Sequence, residues 1–421
     1  MYKMSKFNHI VECDNKYIVY NFFSSSMVEM DKDFFEKFKK FDLNDKEIET
    51  IIELGFIEDK NSQMGQLNEN YERTKNDNKN MNITVELTNA CNLRCKYCYQ
   101  EHNPSNLKKE QSLSLIKFIK NKAEDGLETL HIHWFGGEPT LNLKQAEYIN
   151  EEVQKICEST GLKYNSSITT NGFDIIDQYD VLRKMNISNY QITLDGLKDT
   201  HDYSRPHLNG YGTFDNIIET VKFLTQKNEK VTIRYNVNKK NSNIKEFLDF
   251  LRKSKLNKDV LLHIQPTTDF ELSEKIDNFY FKSNKEYSGV LKEIYYALLE
   301  EGYKVPKYIS GGTNCPFDCS NNFMVTSDLE MLRCSSCDKT SESILGNIKD
   351  GKIIYDEKNY KEKMNTIAYD NEKCLNCKVL PICKGGCYLK RSLNMDECIP
   401  EVYFLDDYVK MLYKEEINVQ D

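Results

Sequence analysis

The sequence predicts an α/β protein. Six parallel βα units form a partial (β/α)6, TIM-like barrel, with a small α+β module before it and a cysteine-rich domain behind. Three observations predict this. From residue 81 to 305, apolar stretches alternate between the two-residue period of strands and the 3.6-residue period of helices. The fourteen cysteines are unevenly spread, three at 91–98 and nine between Cys315 and Cys398. Residues 1–58 carry short strand and helix signals with no βα alternation. The expected domains are therefore 1–80, 81–305 and 306–421.

Composition narrows the class. A chain of 421 residues suggests two or three domains. At 39% hydrophobic it can bury a sizeable core, and a net charge of −9 argues against nucleic-acid binding. Apolar runs such as Val260-Leu261-Leu262 fall far short of the roughly 20 residues of a membrane span. The start, Met1 to His9, has no apolar segment of a secretory signal, so a cytoplasmic protein with no membrane partner is expected. Cytoplasmic thiols are kept reduced, so the clustered cysteines read as metal or cluster ligands. Cys13 and Cys157 stand alone and are expected to be buried and inert.

In the first module, Tyr17–Tyr20 and Met27–Met30 read as pairing strands. Asp31 or Asp33 can cap a helix carrying Phe34, Phe35 and Phe38, and a second helix over 45–54 ends at Gly55. Phe56-Ile57 then reads as a wing strand. Residues 59–80 are polar, with Met64, Leu67 and Tyr71 as sole anchors, and read as a linker.

In the barrel, Ile83, Val85 and Leu87 lie on the strand that delivers Cys91. A helix with Leu115, Ile116 and Ile119 follows, then the strand His131–Phe135 ending in Gly136-Gly137-Glu138-Pro139. The next helix turns Leu143, Ile149, Val153 and Ile156 inward and stops at Gly161. Strands recur at 168–170, 190–194, 231–234 and 260–264. Helices separate them, with Ile217, Val221 and Leu224 on one and Ile244, Phe247, Leu248 and Leu251 on another. Chemistry in such a barrel belongs at the C-terminal ends of the strands.

Those ends carry the motifs. Cys91-x3-Cys95-x2-Cys98 offers three thiols, one short of a tetrahedral structural zinc site. Three thiolates on a 4Fe–4S cubane leave one iron open to a small molecule; a zinc knuckle is the alternative. With Tyr97 before the last cysteine, the motif resembles that of the radical S-adenosylmethionine (SAM) enzymes. The resemblance implies that Cys91, Cys95 and Cys98 are the catalytic ligands. It implies that the open iron chelates SAM, which an electron from the cluster cleaves to a 5′-deoxyadenosyl radical. It further assigns SAM binding to Tyr97, to Gly136, Gly137 and Glu138, and to Thr170 and Asn171 in the Thr-Asn-Gly segment. Arg234 is the candidate partner of the SAM carboxylate. Leu194-Asp195-Gly196, His201-Asp202 and Arg205-Pro206 resemble a segment of the peptide-modifying members. For Asp195 and Arg205 a loop-fixing pair is the competing role. His131 and His133 read as packed strand residues.

Cys374-x2-Cys377-x5-Cys383-x3-Cys387 with Cys398 resembles the SPASM extension of some radical SAM enzymes, which holds two auxiliary 4Fe–4S clusters. The resemblance implies one cluster on Cys315, Cys319, Cys334 and Cys387, and another on Cys374, Cys377, Cys383 and Cys398. Two departures stand out. Leu329 occupies a position where the family usually has Gly, and Cys315 lies close to Cys319. Cys337 is a ninth thiol, read as a bystander ahead of a substitute ligand or catalytic thiol. Zinc ribbons are the alternative for the whole segment. The N-terminal module is winged-helix-like and resembles the RiPP recognition element, which holds leader peptides by strand addition.

The implied activity is a peptide maturase that cross-links a ribosomally made precursor peptide, by thioether first and otherwise by C–C or C–O bond. Its partners would be that peptide with its leader and a flavodoxin or ferredoxin-type electron donor. Rivals are an anaerobic sulfatase maturase, a radical SAM peptide epimerase and a non-catalytic zinc-containing peptide-binding protein. Ser335 counts against the maturase, which carries an aspartate base there.

Overall fold

The computed structural model describes residues 2–58, 62–100, 102, 105–269, 276, 278–308, 310, 315, 319–337, 339–365, 372–392 and 398–418. Two compact units are built from interleaved segments: 1–76 with 282–318 and 366–421, and 77–281 with 319–365. Among the described residues, no helix is long and apolar enough to cross a membrane.

In the first unit, β1 (Lys3–Met4) pairs antiparallel with β5 (Ile57–Glu58), the expected wing. Strands β2 (Asn8–Cys13), β3 (Lys16–Asn21) and β4 (Met27–Asp31) form an antiparallel sheet in that order. The β3–β4 pair follows the expectation; β2 was not foreseen. Its burial inverts the usual signal, hiding Asn8 and His9 while Ile10 is exposed. The Asp31 carboxylate accepts the Phe34 N–H at 2.8 Å and so starts the helix Lys32–Lys40. Asn44 and Glu47 form a reciprocal cap on the helix Asp45–Glu53. Val19, Met30, Phe35, Phe38, Ile51 and Phe56 close this core.

The stretch expected as a linker holds a helix, Gln63–Lys75, that buries Leu67 and Tyr71. They pack with Phe7, Cys374 and Leu380, and Met64 lies against the cluster. Positions 64, 67 and 71 are spaced three and four apart, a helical stripe read as isolated anchors because the other residues are polar. The solitary thiols also differ from expectation. Cys13 and Cys157 are only partly buried.

The second unit carries the barrel. Strands β6 (Asn80–Glu86), β7 (Thr129–Phe135), β8 (Lys163–Thr170), β9 (Ile187–Thr193), β10 (Val231–Val237) and β11 (Val260–Pro266) are parallel and adjacent in chain order. Helices Lys109–Glu124, Leu143–Thr160, Ile175–Leu182, Phe214–Gln226 and Lys245–Lys253 connect them, burying the expected Leu115, Ile149, Val153, Val221 and Leu251. The barrel is partial, for β11 ends the sheet instead of closing on β6. On its other side β6 pairs in parallel with β12 (Asn322–Val325). An antiparallel run then follows through β13 (Glu330–Leu332), β14 (Ile344–Lys349) and β15 (Lys352–Tyr355). Part of the cysteine-rich segment thus extends the barrel sheet.

Candidate functional site

The loop after β6 holds Cys91, Cys95 and Cys98, and a distant segment shapes it. Arg94 and Lys96 donate their backbone N–H groups to Pro206 O at 2.8 Å and Ser204 O at 3.0 Å. Leu208 N–H donates to Asn92 O at 2.8 Å, so the loop lies antiparallel along residues 204–208. A tight turn brings Cys98 N–H to Cys95 O at 3.0 Å. Leu93 N–H points at Cys91 Sγ from 3.4 Å.

The three thiols lie close enough to oppose one another's ionisation. Burial pushes Cys91 up to about 12, with Glu138 and Cys95 adding to it, and burial pushes Cys95 up to about 11. Burial also raises Cys98. Such thiols stay protonated and inert unless a metal displaces the proton. Among the described residues, no three His, Cys, Asp or Glu groups converge on a single metal ion. A cubane asks for no such convergence, because each thiolate binds a different iron. The donor set fits that group.

Tyr97 points into a buried polar knot. Its hydroxyl donates to Asp195 and accepts from Arg205 at 2.8 Å and from Asn236 Nδ2 at 3.1 Å. Asn236 N–H donates to Asp195 Oδ1 at 2.9 Å, and Arg234 Nε donates to Asn236 Oδ1 at 2.9 Å. Burial raises the Asp195 carboxyl, while Arg205 and the Tyr97 hydrogen bond pull it back. Asp195 and Arg205 are thus joined through the Tyr97 hydroxyl, the contacts expected of a loop-fixing pair. His201 and Asp202 are also structural: His201 Nδ1 accepts Asp195 N–H at 3.2 Å, and Asp202 accepts the N–H groups of Thr213 and Phe214.

Gly136 and Gly137 are required by the chain itself. A Cβ on Gly136 would meet Thr88 O at 2.3 Å, and one on Gly137 would meet Ala90 O at 2.4 Å. The close approach is to the backbone that leads into Cys91. Gly137 and Glu138 donate to those two carbonyls, each at 2.8 Å. The fully buried Glu138 carboxylate accepts from Thr140 N and Oγ1, Thr170 Oγ1 and Asn171 N, at 3.1, 2.8, 2.7 and 2.7 Å. It ties the loop after β7 to the loop after β8. Asn171 Nδ2 in turn reaches Asn92 Oδ1 at 2.7 Å and lies 3.9 Å from Cys91 Sγ.

All the proposed residues from Cys91 to Arg234 thus form one connected neighbourhood. Asn92, Asn236 and Phe279, whose ring stacks on Tyr97 at 6.0 Å, were missed. Asn236 had a signal, standing two residues beyond Arg234 on an alternating strand. His131 and His133 are packed strand residues: His131 Nε2 and His133 Nδ1 share Ser167 Oγ at 2.9 and 2.7 Å. Burial pushes His133 down to about 4.

Of the cysteine-rich segment, Cys319, Cys334 and Cys337 belong to the barrel unit; Cys315, Cys374, Cys377, Cys383, Cys387 and Cys398 belong to the first. Burial pushes Cys383 up to about 12, and the nearby Cys398, Cys377 and Cys374 add to the shift, so these four share one neighbourhood. Leu329 holds the left-handed φ of +65° that glycine would take, in the turn between β12 and β13. The Cys337 thiol hydrogen-bonds the Cys334 sulfur and holds Cys334 below its ordinary value.

Residues 85–254 match the radical SAM superfamily model. The chain is 25% identical over 357 residues to the cysteine-type anaerobic sulfatase-maturating enzyme of Clostridium novyi, covering 77% of this chain and 92% of that enzyme. Its fold superposes on anSMEcpe with bound AdoMet and Cp18Cys peptide at a TM-score of 0.63 and 22% identity, over 81% of this chain and 98% of that one. It superposes on Streptococcus suis SuiB bound to precursor peptide SuiA at 0.55 and 16% identity, over 95% and 99%.

Proposed function

We propose that the chain, whose residues 85–254 match the radical SAM superfamily model, is a radical SAM enzyme that installs an intramolecular cross-link in a ribosomally made precursor peptide. A thioether is the first expectation, ahead of a C–C or C–O bond. The observation that carries this reading is the cysteine-rich segment, with thiols enough for two auxiliary clusters and Ser335 after Cys334.

The cluster and SAM together supply an oxidising carbon radical when bound. Cys91, Cys95 and Cys98 would hold the cluster. The Tyr97 knot and the backing segment 204–208 fix the loop on which those three thiols stand. Glu138 is a positioning residue, because its four donors leave it committed to the two loops. Thr170 at the end of β8, Asn171 just after it and Arg234 on β10 would then line the place for SAM. What the chain adds is orientation and exclusion of water from a reactive centre.

An oxidative closure removes two hydrogens from the peptide. One leaves as an atom, and the other as a proton and an electron, so an acceptor must stand near. Eight thiols grouped for auxiliary clusters are this chain's means of holding acceptors. A flavodoxin or ferredoxin-type protein is the external electron donor in this reading, and the reducing cytoplasm suits the thiols. The module 1–58 recruits the leader peptide by strand addition to the β2–β3–β4 sheet. That SuiB is a fold neighbour with a bound precursor peptide supports the substrate class.

Formylglycine formation is the second reading, favoured by the likeness to the C. novyi enzyme. Ser335 weighs against it: a hydroxyl is far too weak a base to take the place of a carboxylate. One anaerobic assay tests both. The enzyme is incubated with SAM, a reductant and either a cysteine-containing precursor peptide encoded beside its gene or a sulfatase-motif peptide. The precursor should lose two hydrogens per bond and, for a thioether, one alkylatable cysteine. Unchanged mass points to epimerisation, and turnover of the sulfatase peptide alone would overturn the cross-linking reading.

A further inference from the structure

Three Cys-x2-Cys turns occur among the described residues, and they share one backbone form. Cys98 N–H donates to Cys95 O at 3.0 Å, Cys377 N–H to Cys374 O at 3.0 Å, and Cys337 N–H to Cys334 O at 3.2 Å. The first two turns carry pairs already read as cluster ligands. The third adds a mark of the catalytic loop: Ser336 N–H points at Cys334 Sγ from 3.4 Å, as Leu93 N–H does at Cys91. A backbone N–H aimed at sulfur favours the thiolate a metal needs. Cys337 is buried at 7% exposure, and its thiol lies against the Cys334 sulfur.

The hairpin supplies a third thiol. Met324 stands opposite Leu332 and Val325 opposite Met331. The ladder ends there, with Cys334 two residues beyond Leu332 and the buried Cys319 five residues before Met324. The buried Arg333 closes the corner, its Nη1 donating to Cys319 O at 2.8 Å. Just past the turn, Lys339 Nζ anchors the segment to the Glu86 carboxylate on β6 at 2.7 and 2.8 Å. The turn is thus held rigidly on the strand that delivers the catalytic loop.

We propose that Cys337 is a ligand of the auxiliary iron–sulfur centre built on Cys319 and Cys334, so that the barrel unit itself supplies three of its thiolates. Cys337 then replaces the bystander role read from sequence. Each thiol gives up its proton as its sulfur binds iron. The inference rests on the reading of the segment as a cluster binder, and not on which bond the enzyme forms.

The test uses the full chain with Cys91, Cys95 and Cys98 replaced by Ala, so that only auxiliary iron remains. After anaerobic reconstitution, iron is counted and the reduced protein is examined by electron paramagnetic resonance during a redox titration. Cys337→Ser should lose about four irons, or keep them with altered g-values and a shifted midpoint potential. Cys157→Ser, at a solitary thiol, should change neither. Iron content, g-values and potential all unchanged in Cys337→Ser would overturn the proposal. The natural sequence gives a second measurement that does not depend on the variant's folding. Alkylation of Cys337 should be at least tenfold slower in the iron-loaded chain than in the chelator-stripped one, and equal rates would overturn the assignment. A failed cross-linking assay with these iron results intact would refute the proposed reaction alone.

Discussion

Replacing Lys339 by Met strands a buried carboxylate. Glu86 is 1% exposed, whereas the Lys339 side chain is 38% exposed; its ammonium lies 2.7 and 2.8 Å from the two carboxylate oxygens and 2.8 Å from Asn89 Oδ1. Breaking a wholly buried pair by removing one partner costs about 3–5 kcal/mol. Here water reaches the lysine, and Ser327 N–H still donates to Glu86 at 3.3 Å. Together these discount the loss to about 2 kcal/mol. For a unit this large, that lowers the unfolding midpoint by roughly 4–8 °C. Thermal unfolding followed anaerobically by circular dichroism measures it. The pair Glu86→Gln with Lys339→Met should recover most of the loss, because no buried charge is then left unpaired. A Lys339→Met variant that melts with the parent, or a double variant no more stable than the single, would refute this role for the pair. Cys337 is held by this anchor, so Lys339→Met should also release auxiliary iron to chelator faster.

Replacing Cys91, Cys95 and Cys98 together by Ala should abolish 5′-deoxyadenosine formation while auxiliary iron stays; undiminished formation would sink the catalytic assignment. Adding leader peptide should slow amide hydrogen exchange at an edge of the N-terminal sheet, Asn8–Cys13 or Met27–Asp31, and unchanged exchange throughout residues 1–76 would remove the recruiting role. Truncating residues 1–80 is a poorer test, since Phe7, Leu67 and Tyr71 pack on Cys374 and Leu380. Burial pushes His133 and His263 down to about 4 each. Because these values lie below the unfolded one near 6.5, the stability they contribute is whole above about pH 6.5 and lost as pH falls toward 4. His133→Gln should therefore flatten the decline in unfolding midpoint across that interval, and an unaltered slope would refute the placement.

Much of this protein is decided by local sequence. The spacing of Cys91, Cys95 and Cys98 sets three thiols on one loop, and strand alternation around Ile83, Ile132, Ile168, Ile192, Ile233 and Ile264 spells out six parallel strands. These are legible because a helix or strand repeats over a few neighbouring residues, and chain geometry alone sets the period. The helix 63–75 reads as a linker, because its polar residues mask the stripe of Met64, Leu67 and Tyr71. Other features exist only once distant segments meet. Tyr97 finds Asp195 and Asn236 across separations of 98 and 139 residues. Gly136 and Gly137 answer to the backbone at Thr88 and Ala90. Cys337 acquires its place from the register of the β12–β13 hairpin and from Lys339 gripping Glu86. No local periodicity marks such pairs, because their spacing in the chain is set by which strands become neighbours. The sequence by itself determined which chemical groups are present and the elements that carry them; tertiary packing decided which groups face one another and how deeply each is withdrawn from water.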